Sequence, residues 1–387
     1  MSTRDDRCPG VFRTHQAADG RLARVRLPGG RISSEQLEAL AAAADEFGDG
    51  FLELTVRGNL QVRGIGDDAV AAFASLLVDA GLAGDAEHDR VRNISVSPLS
   101  GRVGSIADLW PLAESLDDAL RARSWTSELS GRFWFGLDDG HGDVLARRPD
   151  LGVVAVDADR LELVVAGAPT GRVVVRDEAP AALLAVAEEF LRRRDGHWNI
   201  ASLDGEAYAA VRAAASSLGE PLGSSPDRAH VRTPLVGWFG QDDGRVMLGA
   251  VTEFARLSSR QAQFLAAIGA PVLVTADREI LIADLTDAVA DTVVRVLAPM
   301  GFVFDVNSPW VRVSACTGSP GCDKSHADVR GDLRAALAAG LDPTTREHWT
   351  GCDRGCGSPA GEHVRVQAQA SSDVEPGGPG YRRCSVP

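Results

Sequence analysis

Two stretches of this chain read as copies of one another. Arg31 to Gln36 is R-I-S-S-E-Q and Arg256 to Gln261 is R-L-S-S-R-Q. In each, the first serine (Ser33, Ser258) stands three residues ahead of a glutamine, the spacing of a capping box that opens a helix. The surroundings recur in the same order. A strand-like run precedes each start, LARVRLP at 22–28 and RVMLGAV at 245–251. A helical run follows, LEALAAAADEF and AQFLAAIGA, and then two β-prone runs in tandem, FLELTV with LQVRGI and PVLVTA with EILIADL. A second amphipathic helix closes each unit near Gly81 and Gly301. Two matching six-residue strings would carry little alone. Five elements repeated in one order predict an internal duplication.

The order β-α-β-β-α is most of a ferredoxin-like unit, so the fold class is α+β with duplicated ferredoxin-like half-domains. A less regular module follows each unit. After the first come Arg92-Asn93-Ile94-Ser95-Val96-Ser97-Pro98, a helix over about 107–122, strand-like segments near 132–137, 151–156, 161–166 and 172–176, and a helix near 180–194. After the second come Trp310 to Cys316, a helix over about 325–340 and a strand near 363–369. The boundaries read as half-domains at 8–86 and 231–305, modules at 87–213 and 306–370, a linker over 214–230, and a disordered Gly/Pro-rich tail at 371–387.

Four of the six cysteines form two close pairs, Cys316-TGSPG-Cys322 and Cys352-DRG-Cys356. Four thiolates from two short loops can hold a tetrahedral zinc or a [4Fe–4S] cube. Zinc ribbons usually place two residues between paired cysteines. Gaps of five and three residues suit ligands that reach separate corners of a larger object. Gly318, Gly321, Gly351 and Gly355 let backbone N–H groups approach cluster sulfurs. Disulfides and a zinc site are the alternatives. Ser95 and Ser97 fall roughly where the second copy has Ser314 and Cys316, so on this alignment only the second half keeps cluster ligands. Cys8 and Cys384 are read as nonligands.

The whole composition bounds the rest. A chain of 387 residues with 44% hydrophobic and 24% charged residues can build two or three sizeable cores. No apolar run approaches a membrane span of about 18 residues, and the N-terminus lacks a signal-peptide core. A reducing cytoplasm is therefore expected, where thiols serve as metal ligands. A net charge of −14 argues against nucleic-acid binding. Lys324 is the sole lysine, so any site for a polyanion must be built from arginine, whose planar fork binds carboxylates bidentately. There is no G-x-G-x-x-G after a strand and no Walker loop.

The pattern A-C-T-G-x-P-x-C followed by H-W-T-G-C-x-x-x-C, after two ferredoxin-like repeats, resembles the nitrite and sulfite reductase superfamily. LPGG-R at 27–31, LTVRGNLQVRG at 54–64 and RNISVSP at 92–98 tilt the resemblance to its precorrin-3B synthase branch, and it extends from Cys8-Pro9-Gly10 to about residue 370. It implies a pseudo-twofold assembly with nitrite/sulfite reductase-type modules, a tetrapyrrole between the halves and a [4Fe–4S] cluster beside it. In the reductases the tetrapyrrole is the cofactor sirohaem, bridged to the cluster by a cysteine. In the synthases it is the substrate, precorrin-3A. Dioxygen and electrons, drawn from NADH through a separate reductase, hydroxylate C20, and a γ-lactone closes in aerobic cobalamin (vitamin B12) biosynthesis. The branch also implies a mononuclear non-haem iron, whose ligands the sequence does not identify. The alternatives are a sirohaem-dependent sulfite or nitrite reductase and a nonenzymatic zinc- or cluster-binding regulator.

By position, the resemblance makes Cys316, Cys322, Cys352 and Cys356 the cluster ligands, with Cys356 matching the bridging one. Arg57, Asn59, Gln61 and Arg63 alternate, so on a regular strand all four project from one face. Arg57 and Arg63 are expected to grip substrate carboxylates, with Arg92 and Asn93 next. Where the reductases carry K-x-K, this chain has Arg132 and Trp134. Losing the second cation counts against reduction of a small anion. The eight histidines are His15, His88, His141, His197, His230, His326, His348 and His363. Two H-x-D pairs, His141 with Asp143 and His326 with Asp328, are candidate parts of a facial triad, against their reading as ordinary surface residues. His348, four residues before Cys352, is expected to order the cluster loop or to be an ordinary loop histidine.

Overall fold

The computed structural model describes residues 6–223, 233–370 and 380–387. Both capping boxes form: Ser33 Oγ accepts from the Gln36 amide and Ser258 Oγ from the Gln261 amide, and each glutamine side chain returns to its serine's amide. They open the helices Ser34–Phe47 and Ser259–Ala266. On the first, Leu37, Leu40, Ala41 and Ala44 are buried, the i, i+3, i+4, i+7 stripe of a helix with one face in a core.

The two half-domains exchange their shortest strands. One sheet runs His15–Ala17, Gly20–Val25, Leu60–Ile65, Phe51–Leu54 and then Arg256–Ser258, which comes from the other copy. The second runs Gly237–Gly240, Val246–Ala250, Ile280–Leu285, Val272–Val274 and then Arg31–Ile32. Each R-(I/L)-S motif thus adds an edge strand to its partner's sheet before its serine caps a helix. The two capped helices pack against one another, and the two halves share one apolar core that includes Leu40, Leu52, Leu265 and Ile282.

The modules repeat each other as well. In the first, Ile94–Val96, Phe135–Asp138 and Leu151–Ala155 are parallel neighbours, followed by antiparallel Arg160–Val165, with Ala168–Val175 and Glu220–Pro221 extending the sheet. In the second, Val313–Ala315, Glu347–Thr350 and His363–Ala368 are parallel, followed by antiparallel Tyr381–Val386.

That last strand corrects the expectation of a disordered tail. Tyr381–Val386 pairs with His363–Ala368 along its full length, its Tyr381 ring lies 5.0 Å from Trp349, and the Tyr381 hydroxyl donates to Asp332 at 2.6 Å. The Gly/Pro-rich stretch ahead of it, 371–379, lies outside the described residues. The linker expected over 214–230 is shorter at its start: helix Gly205–Ser216 runs into it and Glu220–Pro221 joins the sheet. Its remainder from residue 224, with His230, lies outside the described residues. Among the described residues no helix is long and apolar enough to cross a membrane.

Candidate cofactor and substrate site

The four paired cysteines lie on two loops that follow adjacent parallel strands, Val313–Ala315 and Glu347–Thr350. All four line one cavity of about 420 Å³. None of them forms a disulfide, and among the described residues no three of their sulfurs come within 4.8 Å of one another. A tetrahedral zinc at 2.3 Å from each sulfur would draw them to about 3.8 Å apart. The arrangement therefore fits a larger group at its centre better than a single ion. Burial raises the pKa of Cys316 and Cys356, and the neighbouring thiols add to it: Cys356 and Cys352 act on Cys316, and Cys352 and Cys322 on Cys356. Two buried thiols that resist ionisation beside further sulfurs suit a cationic iron core.

The loops are braced from both halves. The Gly351 amide donates to Cys316 Sγ at 3.3 Å, and a Cβ at Gly351 would meet Ser325 Oγ at 1.8 Å. His348 is fully buried; Nε2 lies 3.0 Å from the Cys356 carbonyl and Nδ1 2.8 Å from Ser314 Oγ. A carbonyl only accepts, so Nε2 carries the proton and Nδ1 receives the serine hydroxyl. Burial pushes the His348 pKa down to about 3, keeping the ring neutral. His348 therefore orders the second cysteine loop. Arg63 donates Nε and Nη2 to Asp19 at 2.8 and 2.9 Å, and Nη2 also reaches the Gly321 carbonyl at 2.9 Å. It ties the first half-domain to the loop between Cys316 and Cys322.

The expected four-residue polar face is not one strand. Residues 55–59 form a turn, and the strand begins at Leu60. Gly58, at φ +66°, reverses the chain there, and a Cβ on it would meet the Val274 carbonyl at 2.8 Å. The alternation therefore survives only for Gln61 and Arg63, which line the cysteine cavity. Arg57 instead lines a second cavity of about 800 Å³, with Gly29, Gly30, His141 and Asp143.

The remaining residues are placed as follows. Asn59 is buried, its Oδ1 accepting from the Leu27 amide at 2.9 Å. Arg92 is 8% exposed and held bidentately by Asp117 at 2.7 and 2.8 Å. Asn93 donates to the carbonyls of Arg90, Gly131 and Phe133 and accepts from Arg26. These three build scaffold, with these hydrogen bonds directed into the protein rather than to either cavity. Arg132 is exposed and stacks over Trp198 at 4.3 Å. Trp134 donates its indole N–H to Ser95 Oγ at 2.8 Å, with the Arg57 guanidinium 5.9 Å from its ring. His326 is exposed, and Asp328 caps the helix Val329–Ala338 through the Gly331 amide.

Sequence reasoning missed several cavity residues. Arg24 lines the cysteine cavity, donates Nη2 to Gln61 at 3.2 Å and has a buried Nε with no acceptor. Burial lowers its pKa. The alternation in LARVRLP carried that signal. Glu53, also in the wall, is buried; burial alone would raise its pKa, but Arg330 and Arg256 hold it below the usual carboxylate range. No local pattern marks Glu53, because its ion-pair partners Arg330 and Arg256 come from the other half.

Comparison with known proteins agrees with this architecture. Residues 14–80 match the family described as nitrite/sulfite reductase ferredoxin-like half domain. The structure titled "Structure of Mycobacterium tuberculosis NirA protein" superposes with a TM-score of 0.73 at 19% identity, covering 94% of this chain and 73% of that one. The fold is thus of nitrite/sulfite reductase type. Among relatives, a precorrin-3B synthase from Sinorhizobium sp is 28% identical over 92% of this chain and 79% of its own length. A ferredoxin–nitrite reductase from Synechococcus elongatus is 26% identical over 92% of this chain and 78% of its own. The resemblance to precorrin-3B synthase seen in the motifs therefore runs through nearly the whole chain.

Proposed function

We propose that this chain is an oxidoreductase of the precorrin-3B synthase type, a monooxygenase that uses dioxygen to hydroxylate precorrin-3A at C20 with closure of a γ-lactone. The observation that carries the reading is Trp134. By the motif resemblance it stands where the reductases carry their second basic residue; its indole donates to Ser95 and lies beside Arg57. A six-electron reduction of sulfite or nitrite needs a dense positive site for a small anion, and an indole there serves a large flat ligand better. The similarity to the Sinorhizobium synthase over most of both chains supports the same reading.

The cysteine-lined cavity fits a [4Fe–4S] cluster held by Cys316, Cys322, Cys352 and Cys356, which when bound supplies one-electron transfer. The chain's own residues do the rest. Arg24 and Arg57 offer charge-assisted hydrogen bonds to substrate carboxylates, Arg63 and His348 hold the cysteine loops in register, and Trp134 stands beside Arg57. Electrons would come from NADH through a separate reductase. The competing reading, a sirohaem-dependent reductase, differs in colour. Anaerobically purified protein should show the broad brown absorption of a cluster that bleaches on reduction, and no Soret band. Given precorrin-3A, a reductant and labelled dioxygen, it should yield a product with one labelled oxygen. A Soret band together with sulfite or nitrite turnover would overturn the proposal.

A further inference from the structure

The first module contains a counterpart of the cysteine loops. Its strands Ile94–Val96 and Phe135–Asp138 pair with Ser95 beside Gly136, as Val313–Ala315 and Glu347–Thr350 pair with Ser314 beside His348. Just past the strands, the Ser97 amide donates to the Leu137 carbonyl at 3.1 Å, and the Cys316 amide to the Trp349 carbonyl at 2.9 Å. The next bond matches too. The Asp139 amide donates to Ser97 Oγ at 3.2 Å, and the Gly351 amide to Cys316 Sγ at 3.3 Å. Ser97 therefore stands where Cys316 stands, and the loop from Asp139 to Asp143 stands where the second cysteine loop begins.

This loop gathers oxygen in place of sulfur. Carboxylate oxygens of Asp138, Asp139 and Asp143 lie within 4.8 Å of one another. Asp138 and Asp139 are 1% and 0% exposed. Among the described residues no arginine or lysine pairs with any of the three; His141 Nδ1 lies 2.6 Å from Asp139 Oδ1. Asp138 is consumed as scaffold, its two oxygens taking the amides of Gly140, Gly142, Val144 and Leu145. Asp143 Oδ1 accepts from Ser97 Oγ at 2.5 Å and from its neighbour's amide. Asp139 Oδ2 is wholly buried and receives no hydrogen bond. Asp139 Oδ1 takes the His141 amide at 3.2 Å, but a buried carboxylate oxygen left without a donor is costly, and two further carboxylates beside it raise that cost. A cation removes it.

We propose that Asp139 and Asp143, with His141, bind a divalent cation, and that Asp138 and Ser97 position them. Carboxylate oxygens with an imidazole suit Mn²⁺ or Fe²⁺ rather than a thiophilic ion. The site lies at the carboxyl ends of two adjacent parallel strands, where open α/β sheets place ligands. His141 and Asp143 line the larger cavity together with Arg57, so the cation would face whatever anionic ligand occupies it. The inference does not depend on the tetrapyrrole reading, since it rests on charge and symmetry within the first module.

The test uses the full chain, anaerobic, with its cluster in place and loosely held metal removed by chelation. Mn²⁺ is titrated and the free ion read by electron paramagnetic resonance, with the thermal midpoint followed in parallel. The wild type should take up one Mn²⁺ per chain and gain stability from it. Asp139→Asn and Asp143→Asn should each weaken uptake at least about tenfold and lose the stabilisation. Asp328→Asn, in the other H-x-D pair, should bind as the wild type does. Wild-type protein that takes up no Mn²⁺ at millimolar concentration overturns the proposal whether or not the variants fold. So does equal loss in Asp328→Asn, which would put the ion elsewhere. Stabilisation by acid alone, without Mn²⁺ uptake, would also overturn it, because protons would then be neutralising the trio.

Discussion

The turns Thr55–Asn59 and Thr275–Glu279 are built alike and charged oppositely. In each, the threonine amide donates to the carbonyl four residues on, at 2.9 and 3.0 Å, and the fifth residue's amide returns to the threonine hydroxyl at 3.1 Å. The fifth side chain accepts from a leucine amide in both, Asn59 from Leu27 at 2.9 Å and Glu279 from Leu235 at 3.0 Å. Even the left-handed residue is shared, Gly58 and Arg278 each at φ +66°. Yet the first turn presents Arg57 and the second Asp277, which pairs with Arg147. Arg278 accepts an uncommon backbone conformation for a residue with a side chain, and its guanidinium reaches the Gly357 carbonyl beside Cys356 at 3.0 Å. The hydrogen bonds that shape the backbone persist in both halves, while the side chains facing the cavities have diverged. The modules repeat that lesson, with sulfur donors in one and oxygen donors in the other.

The comparison can be broken most severely at the cysteines. Cys322→Ser should lose the cluster and all activity, read by iron and sulfide content, while Ser97→Ala, at the position equivalent to Cys316, leaves the cluster intact. Next comes the contrast between Arg92 and Arg57. Arg92→Ala leaves the buried Asp117 with only the half-exposed Arg121, 3.4 Å away, so stability should fall by about 3 kcal/mol, the low end for a broken buried pair, read by denaturant unfolding, with tetrapyrrole affinity of the folded protein unchanged. Arg57→Ala should do the reverse. It should keep the cluster and the stability and weaken precorrin-3A binding by about 10- to 100-fold, as for a lost charge-assisted hydrogen bond of about 1.5–3 kcal/mol. Normal binding by that variant would remove Arg57 from the substrate site. The smallest effect probes the duplication itself. Ser33→Ala and Ser258→Ala remove equivalent caps, and each should cost about 1 kcal/mol. A large difference between them would mean that the two capped helices carry different loads.

What the sequence made legible was mostly local. A capping box is written in four residues, so Ser33 with Gln36 and Ser258 with Gln261 could be read directly, and the duplication followed. Four cysteines in two glycine-rich loops were likewise visible by residue type. Arg92 looked like a ligand for substrate because its partner Asp117 lies on a helix that spacing could not bring near. Asn59 looked like a cavity residue because the alternation ran through a turn that Gly58 forces. The strand Tyr381–Val386 was hidden behind a Gly/Pro-rich stretch, and only the sheet it completes explains it. The acidic loop at 138–143 was seen as one H-x-D pair. Its meaning depends on the match between Ser97 and Cys316, which the alignment suggested and the paired hydrogen bonds make definite.

The proposed activity requires one iron–sulfur cube held by the second half alone. The most direct measurement is acid-labile sulfide per chain in anaerobically purified protein, taken with its visible spectrum. The account predicts about four sulfides per chain, falling to none in Cys322→Ser, and a broad spectrum without a Soret band. A colourless protein with one zinc and no sulfide would contradict it.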